Sequence, residues 1–134
     1  MNYWLVKSDP ETYAWSDLLK DGKTSWDGVR NYAARIHLRA MKKGDKVLVY
    51  HSGGESMVLG IASVTKEFYQ DPTTKDEAWI SVELKAEKSL KQPVTLQQIK
   101  SEKKLANIAL IKISRLSVMP VTPDEYHKIL EMAE

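Results

Sequence analysis

Two runs of strand character, Lys46 to Ser52 and Met57 to Val64, flank Gly53-Gly54, and this pairing constrains the fold more than any other feature. In the first run Val47, Val49 and His51 share one face of an extended chain, with Leu48, Tyr50 and Ser52 on the other. Adjacent glycines between such runs specify a hairpin. A hairpin leaves two outer edges unpaired, so other strands must cover them. The chain supplies candidates. Trp79 to Glu87 alternates Ile80, Val82, Leu84 and Ala86 with polar residues, after a polar loop from Gln70 to Lys75. Tyr3 to Val6 reads as a strand closed by Ser8-Asp9-Pro10, and Leu116 to Val121 reads as another.

Helical signals lie between and after these strands. Ala14 to Leu19 suits a short helix ended by Asp21-Gly22-Lys23, and Thr24 to Arg30 is expected to be a loop. A helix is expected from Asn31 to Lys43, with Asn31 as N-cap, Gly44 as the stop and an apolar stripe of Val29, Ala33, Ile36 and Ala40. Thr95 to Ile99 suits a short helix after Pro93, whereas Leu105 to Ile113 fits no single period. Thr122, Pro123 and Glu125 form a capping box for a last helix that buries Tyr126, Ile129, Leu130 and Ala133. The expected fold is α+β: short, mainly antiparallel strands with peripheral helices, in a small, partly closed barrel that hides its strand edges. The length of 134 residues is that of one domain, residues 1–134.

Composition removes several kinds of chemistry. The chain has no cysteine, which excludes disulfide frameworks, zinc ribbons, iron–sulfur sites and thiol nucleophiles. His37, His51 and His127 have no ligand-type spacing, so neither a metal nor a cofactor is expected. There is no G-x-S-x-G, P-loop or dinucleotide-binding glycine pattern, and the chain reads as a binding module and not an enzyme. No apolar run reaches the roughly 20 residues of a membrane span, and the N-terminus shows no secretory pattern. The expectation is a cytoplasmic, monomeric protein.

Binding signals concentrate in two places. Arg30, Arg35, Arg39, Lys42, Lys43 and Lys46 stand against a single acid, Asp45, a basic run on which phosphates can land or which forms a solvated helix face. Just before it, Trp26 sits in a polar stretch beside a helix N-terminus, where an aromatic platform meets free backbone N–H groups. Lys7 and Ser8 end one strand in a compact polar turn, and Tyr50-His51-Ser52 end another, where side chains commonly face a pocket mouth. Taken alone, the first segment is better explained by turn chemistry, and a buried histidine satisfied by a backbone carbonyl is the plain explanation of the second.

Taken together, four segments resemble the EVE domain, a family of the PUA-like superfamily. They are Tyr3 to Pro10, Trp26-Asp27-Gly28-Val29-Arg30-Asn31-Tyr32-Ala33-Ala34-Arg35, Gly44-Asp45 with Tyr50-His51-Ser52, and Arg115-Leu116-Ser117-Val118-Met119-Pro120-Val121-Thr122. The resemblance spans nearly the whole chain in the family's order. It implies a PUA-like pseudobarrel with a central pocket that binds a modified base, notably 5-methylcytosine or 5-hydroxymethylcytosine, in DNA in preference to RNA. It places pocket positions on Lys7, Ser8, Trp26, Asn31, Tyr50, His51 and Ser52, with Arg115 added by the last motif. Arg30, Arg35, Arg39, Lys42 and Lys43 would then hold flanking phosphates. Asp9 stands where the family usually has Glu, Ala33 where Gln is frequent and Ile36 where Asn is frequent; if Ala33 or Ile36 touches the ligand, base preference is expected to differ.

Two other readings remain open on these residues. A related PUA-like branch, ASCH, resembles small hydrolases of acylated cytidine, and Lys7 with Asp9 or Glu83 could pair as nucleophile and base if the lysine pKa is lowered. Binding of a free nucleotide or another small molecule is the third.

Overall fold

A computed structural model describes residues 1–53 and 55–134. Gly54, expected with Gly53 in the hairpin turn, lies outside the described residues; Gly53 itself has φ +83°, a left-handed conformation that suits glycine. Six strands form one sheet: β1 (Tyr3–Ser8), β2 (Lys23–Trp26), β3 (Lys46–His51), β4 (Met57–Gln70), β5 (Ile80–Thr95) and β6 (Val118–Val121). Their spatial order is β2-β5-β4-β3-β1-β6. All pairings are antiparallel except β1 with β3, which run parallel in a register of Tyr3 with Lys46 through Ser8 with His51.

Two strands are longer than their alternating patterns indicate. β4 and β5 continue through several register shifts, between Val58 and Gly60 and again between Ile61 and Ala62, Val64 and Lys66, and Lys66 and Tyr69. Each shift bends the ribbon and interrupts strict alternation. The bends curl the sheet into the pseudobarrel. β2 is the strand that pattern reading missed, because Lys23-Thr24-Ser25-Trp26 carries only one large apolar side chain. It pairs with β5 and makes one end of the sheet, while β6 makes the other.

Helices pack around the sheet: α1 (Trp15–Asp21), α2 (Tyr32–Ala40), α3 (Leu96–Ser101), α4 (Ala109–Lys112) and α5 (Pro123–Met132). Thr95 and Thr122 cap α3 and α5 with reciprocal bonds to Gln98 and Glu125. α2 starts at Asn31, whose side chain accepts from Ala34 N–H at 2.9 Å. Its buried stripe is Ala34, Leu38 and Met41; Ala33, Ile36 and Ala40 face outward. Both stripes have helical spacing, and the one carrying the larger leucine and methionine side chains wins the core. α2 touches β6 at one end of the sheet order and β5 and β4 towards the other, so it lies across the opening of the barrel.

Trp15 fastens α1 to the barrel. Its indole Nε1–H donates to Ser89 Oγ at 2.9 Å, and its backbone N–H donates to His51 Nε2 at 2.8 Å. A Cβ at Gly60 would lie 2.1 Å from the Trp15 ring, so β4 must present a bare backbone there. Gly60→Ala is expected to displace Trp15 and to lower stability by roughly 1–3 kcal/mol, read as the midpoint of denaturant unfolding. An unchanged midpoint would mean that α1 can rise off the sheet at no cost.

Candidate nucleobase-binding cavity

A cavity of about 570 Å³ opens where the curled sheet brings its two ends back together. One side is the C-terminal end of β1, with Lys7, Ser8 and the following Asp9; Ser117 stands beside them, just before β6. The opposite side is β2 and the loop after it, from Thr24 to Asn31. Tyr13, ahead of α1, closes the back: its ring stands at 81° to that of Trp26, centroids 6.3 Å apart. Two perpendicular aromatic rings with polar groups around them suit a planar, partly polar ligand.

Of the residues singled out from sequence, Lys7, Ser8, Trp26, Asn31 and Arg30 come together here. Trp26 ends β2 and is only 8% exposed, so it is not a loop residue: it is the floor of the cavity and part of the core. The Ser8 hydroxyl donates to the Tyr13 carbonyl. Asn31 spends its amide oxygen on the α2 cap, which leaves the amide NH₂ as the group able to donate into the cavity.

Tyr50, His51, Ser52 and Arg115 do not line the cavity. Tyr50 is buried, with Lys7 Nζ 6.0 Å above its ring. His51 turns its Nε2 to the α1 N-terminus, and Ser52 N–H donates to the Ser8 carbonyl at 3.0 Å. Because β3 pairs with β1 in parallel register, Tyr50 and His51 stand beside Lys7 and Ser8 on the neighbouring strand. Arg115 is exposed two residues before Ser117. The pairing that the hydrolase reading needs does not form. Burial does lower the Lys7 pKa, but Nζ donates to the Ser114 carbonyl at 2.7 Å, and among the described residues no ion pair joins Lys7 to a carboxylate. Glu83 accepts from Thr65 Oγ and lies outside the lining.

Two acidic residues that the sequence reading passed over shape the site. Asp71, fully buried in the turn between β4 and β5, accepts from Gly28 N–H (2.9 Å), Arg30 Nη1 (2.9 Å), Thr73 N–H (2.7 Å) and Thr73 Oγ1 (2.6 Å). Burial alone would raise its pKa; the bonds from Thr73, Arg30 and Gly28 outweigh it and hold the carboxyl at about 2. This clamp fixes the loop at Gly28, whose φ of +76° needs glycine. Asp27 lines the cavity, and burial, with the Asp71 charge nearby, raises its pKa. The only sequence signal for Asp27 was its place beside Trp26. For Asp71 it was the Asp-Pro-Thr turn, which says nothing about a partner 43 residues away.

Arg35 lies over the Tyr32 and Trp79 rings (4.9 and 5.0 Å) and donates to the Ala78 carbonyl, and Arg39 lies over Phe68 (4.8 Å). Lys42 and Lys43 follow α2 with exposed side chains. Among the described residues no group of His, Asp and Glu is placed to hold a metal ion, and no helix is long and apolar enough to cross a membrane.

Curled sheet, capping helix and seam cavity together define an α+β, PUA-like pseudobarrel. The pattern of the EVE domain matches residues 2–132, and the chain belongs to that family. Human thymocyte nuclear protein 1 is 32% identical over 167 residues, covering 99% of this chain and 74% of that protein. A Rhodopseudomonas palustris protein solved by NMR superposes with a TM-score of 0.94 at 43% identity, covering 99% of this chain and 93% of its own. Human THYN1 protein, solved in complex with DNA containing 5-methylcytosine, gives 0.94 at 31% identity over 100% of this chain and 98% of that one.

The clamp and the histidine are expected to appear separately in pH-dependent stability. The Asp71 pKa is depressed on folding, from 3.8 to about 2, so its contribution is complete above about pH 5 and is lost as pH falls through 3.8 towards 2. Asp71→Asn should remove roughly 2 kcal/mol at neutral pH and flatten that acid limb; an unchanged limb would assign the acid sensitivity to other carboxylates. Burial also lowers the His51 pKa from 6.5, so stability should begin to fall as pH drops below 6.5, when protonation removes the acceptor for Trp15 N–H. His51→Gln, which keeps an acceptor but does not titrate, should weaken this dependence; His37, whose pKa burial also lowers, contributes in the same direction.

Proposed function

We propose that this chain binds nucleic acid, DNA in preference to RNA, by taking a 5-substituted cytosine into the seam cavity. The observation that carries the reading is the composition of the cavity: a Trp26–Tyr13 corner with an acceptor, Asp27, and a donor, the Asn31 amide, among its polar lining groups. The Watson–Crick edge of cytosine offers a donor at N4 and acceptors at N3 and O2. An Asp27 carboxylate can accept from N4, and Asn31 can donate to N3 or O2. The cavity volume is in the range of small-molecule sites and leaves room for a substituent at C5. The DNA complex of the related human protein supports the same ligand class.

For a base inside a duplex, entry requires flipping, which costs a few kcal/mol. The aromatic corner and the base-edge bonds would offset that cost, each stacked base contributing roughly 1–3 kcal/mol. Tyr50, His51 and Ser52 act in this reading by holding β1, and through it Lys7 and Ser8, in place.

Thymine supplies the test, because it has the shape of 5-methylcytosine but carries an acceptor where cytosine carries N4. Wild type should prefer a 5-methylcytosine oligonucleotide over its thymine counterpart by about 5- to 150-fold. Asp27→Asn, whose amide can donate as well as accept, should collapse that preference with little change in stability. Equal affinity of the wild type for the two would overturn the assignment of the cavity. Incubation with an acylated cytidine checks the hydrolase reading, which requires release of the carboxylic acid and free cytidine.

A further inference from the structure

The α2 face beside the cavity carries a second aromatic group that the cavity does not use. Tyr32, the first residue of α2, is 68% exposed, and its ring centroid lies 5.3 Å from that of Trp79, which ends the β4–β5 loop. Arg35 lies over both rings, and Arg30 lies over Trp79 at 5.5 Å. Arg30 also lines the cavity, as does Asn31, the residue directly before Tyr32. The cluster is therefore continuous with the cavity mouth.

A purely structural role explains Trp79 and Arg35, which tie the β4–β5 loop to α2 through the Arg35 bond to the Ala78 carbonyl at 2.9 Å. It does not explain Tyr32, which leaves most of its ring in water. Of the acidic groups nearby, Asp71 pairs with Arg30 and Asp76 accepts from Ala78 N–H, while Glu77 is exposed in the same loop. Arg35 and Arg39 stand one turn apart on a helix whose first turn has no acid. An open ring backed by guanidinium groups offers a stacking surface to a base and charge to the phosphate attached to it.

We propose that Tyr32, with Arg35 and Trp79 behind it, is an external stacking site for the base that neighbours the one in the cavity, with the intervening phosphate held by Arg30 and Arg35. The proposal rests on the reading of the cavity as a base site and adds to it the register of the strand. Stacking carries no hydrogen-bond code, so this second site tolerates any base.

The experiment compares two probes, the nucleoside 5-methyl-2′-deoxycytidine and a single-stranded DNA trinucleotide with 5-methylcytosine at its centre. Wild type should bind the trinucleotide more tightly than the nucleoside. Tyr32→Ala should weaken the trinucleotide about 5- to 150-fold and leave the nucleoside unchanged, and Tyr32→Phe should restore it. Arg35→Lys should lose part of the affinity, since an ammonium keeps the charge but cannot lie flat on the rings. Wild-type trinucleotide affinity in Tyr32→Ala would overturn the stacking site while leaving the cavity reading intact. Tyr32-dependent trinucleotide binding without nucleoside binding would instead overturn the cavity reading and keep the external site. Failure of the wild type to bind either probe overturns both.

Discussion

The buried carboxylate of Asp71 is the interaction on which the site depends. A charge removed from water is costly unless it is fully partnered, and here four donors converge on it within 3 Å. Two of those donors, Gly28 N–H and the Arg30 guanidinium, belong to the wall of the cavity. The turn after β4 thereby dictates the path of the chain between β2 and α2. The loop that carries Asp27 and Asn31 has no ladder of its own and is tied instead through Gly28 N–H and the Arg30 guanidinium to Asp71. A site that discriminates between bases by one hydrogen bond needs that anchoring.

The rest of the architecture exists to bring that loop opposite β1. Register shifts curl β4 and β5, the curl carries β2 round towards β1 and β6, and α2 spans the opening. A fully closed barrel would pair β2 with β6 and leave no space at the seam. Asp45 secures the far end of α2. It is almost wholly buried and accepts from the Trp4 indole at 3.0 Å, from Lys42 N–H at 3.0 Å and from Asn2 N–H at 3.1 Å. One buried aspartate thus fixes the entry to α2 and another fixes its exit.

Local signals were legible in the chain, and long-range ones were not. The hairpin, the Asn31 cap and the Thr122–Glu125 capping box depend on residues within a few positions of each other, and each forms as read. β2 escaped because a four-residue edge strand with one large apolar residue has no period to detect. The α2 stripe was misassigned because Ala33–Ile36–Ala40 and Ala34–Leu38–Met41 are both helical, and only the packing partner chooses between them. At the site, motif resemblance named Lys7, Ser8, Trp26 and Asn31, which line the cavity together, and also Tyr50, His51 and Ser52, which lie on and just after the neighbouring strand and do not line it. Position in a motif does not say which way a side chain points. Asp71 was out of reach altogether, because its turn looks ordinary and its partners are 41 and 43 residues away.

The most direct measurement of the central claim is a two-dimensional amide and indole NMR titration with a short DNA strand carrying one 5-methylcytosine. The Trp26 indole and the backbone amides from Thr24 to Ala34 should shift on binding, whereas the Trp4 indole, held by Asp45 in the core, should not. The same strand with thymine in place of the modified base should shift the Trp26 signal only at about 5- to 150-fold higher concentration. Shifts confined to other faces of the barrel, or identical shifts with both strands, would contradict the account.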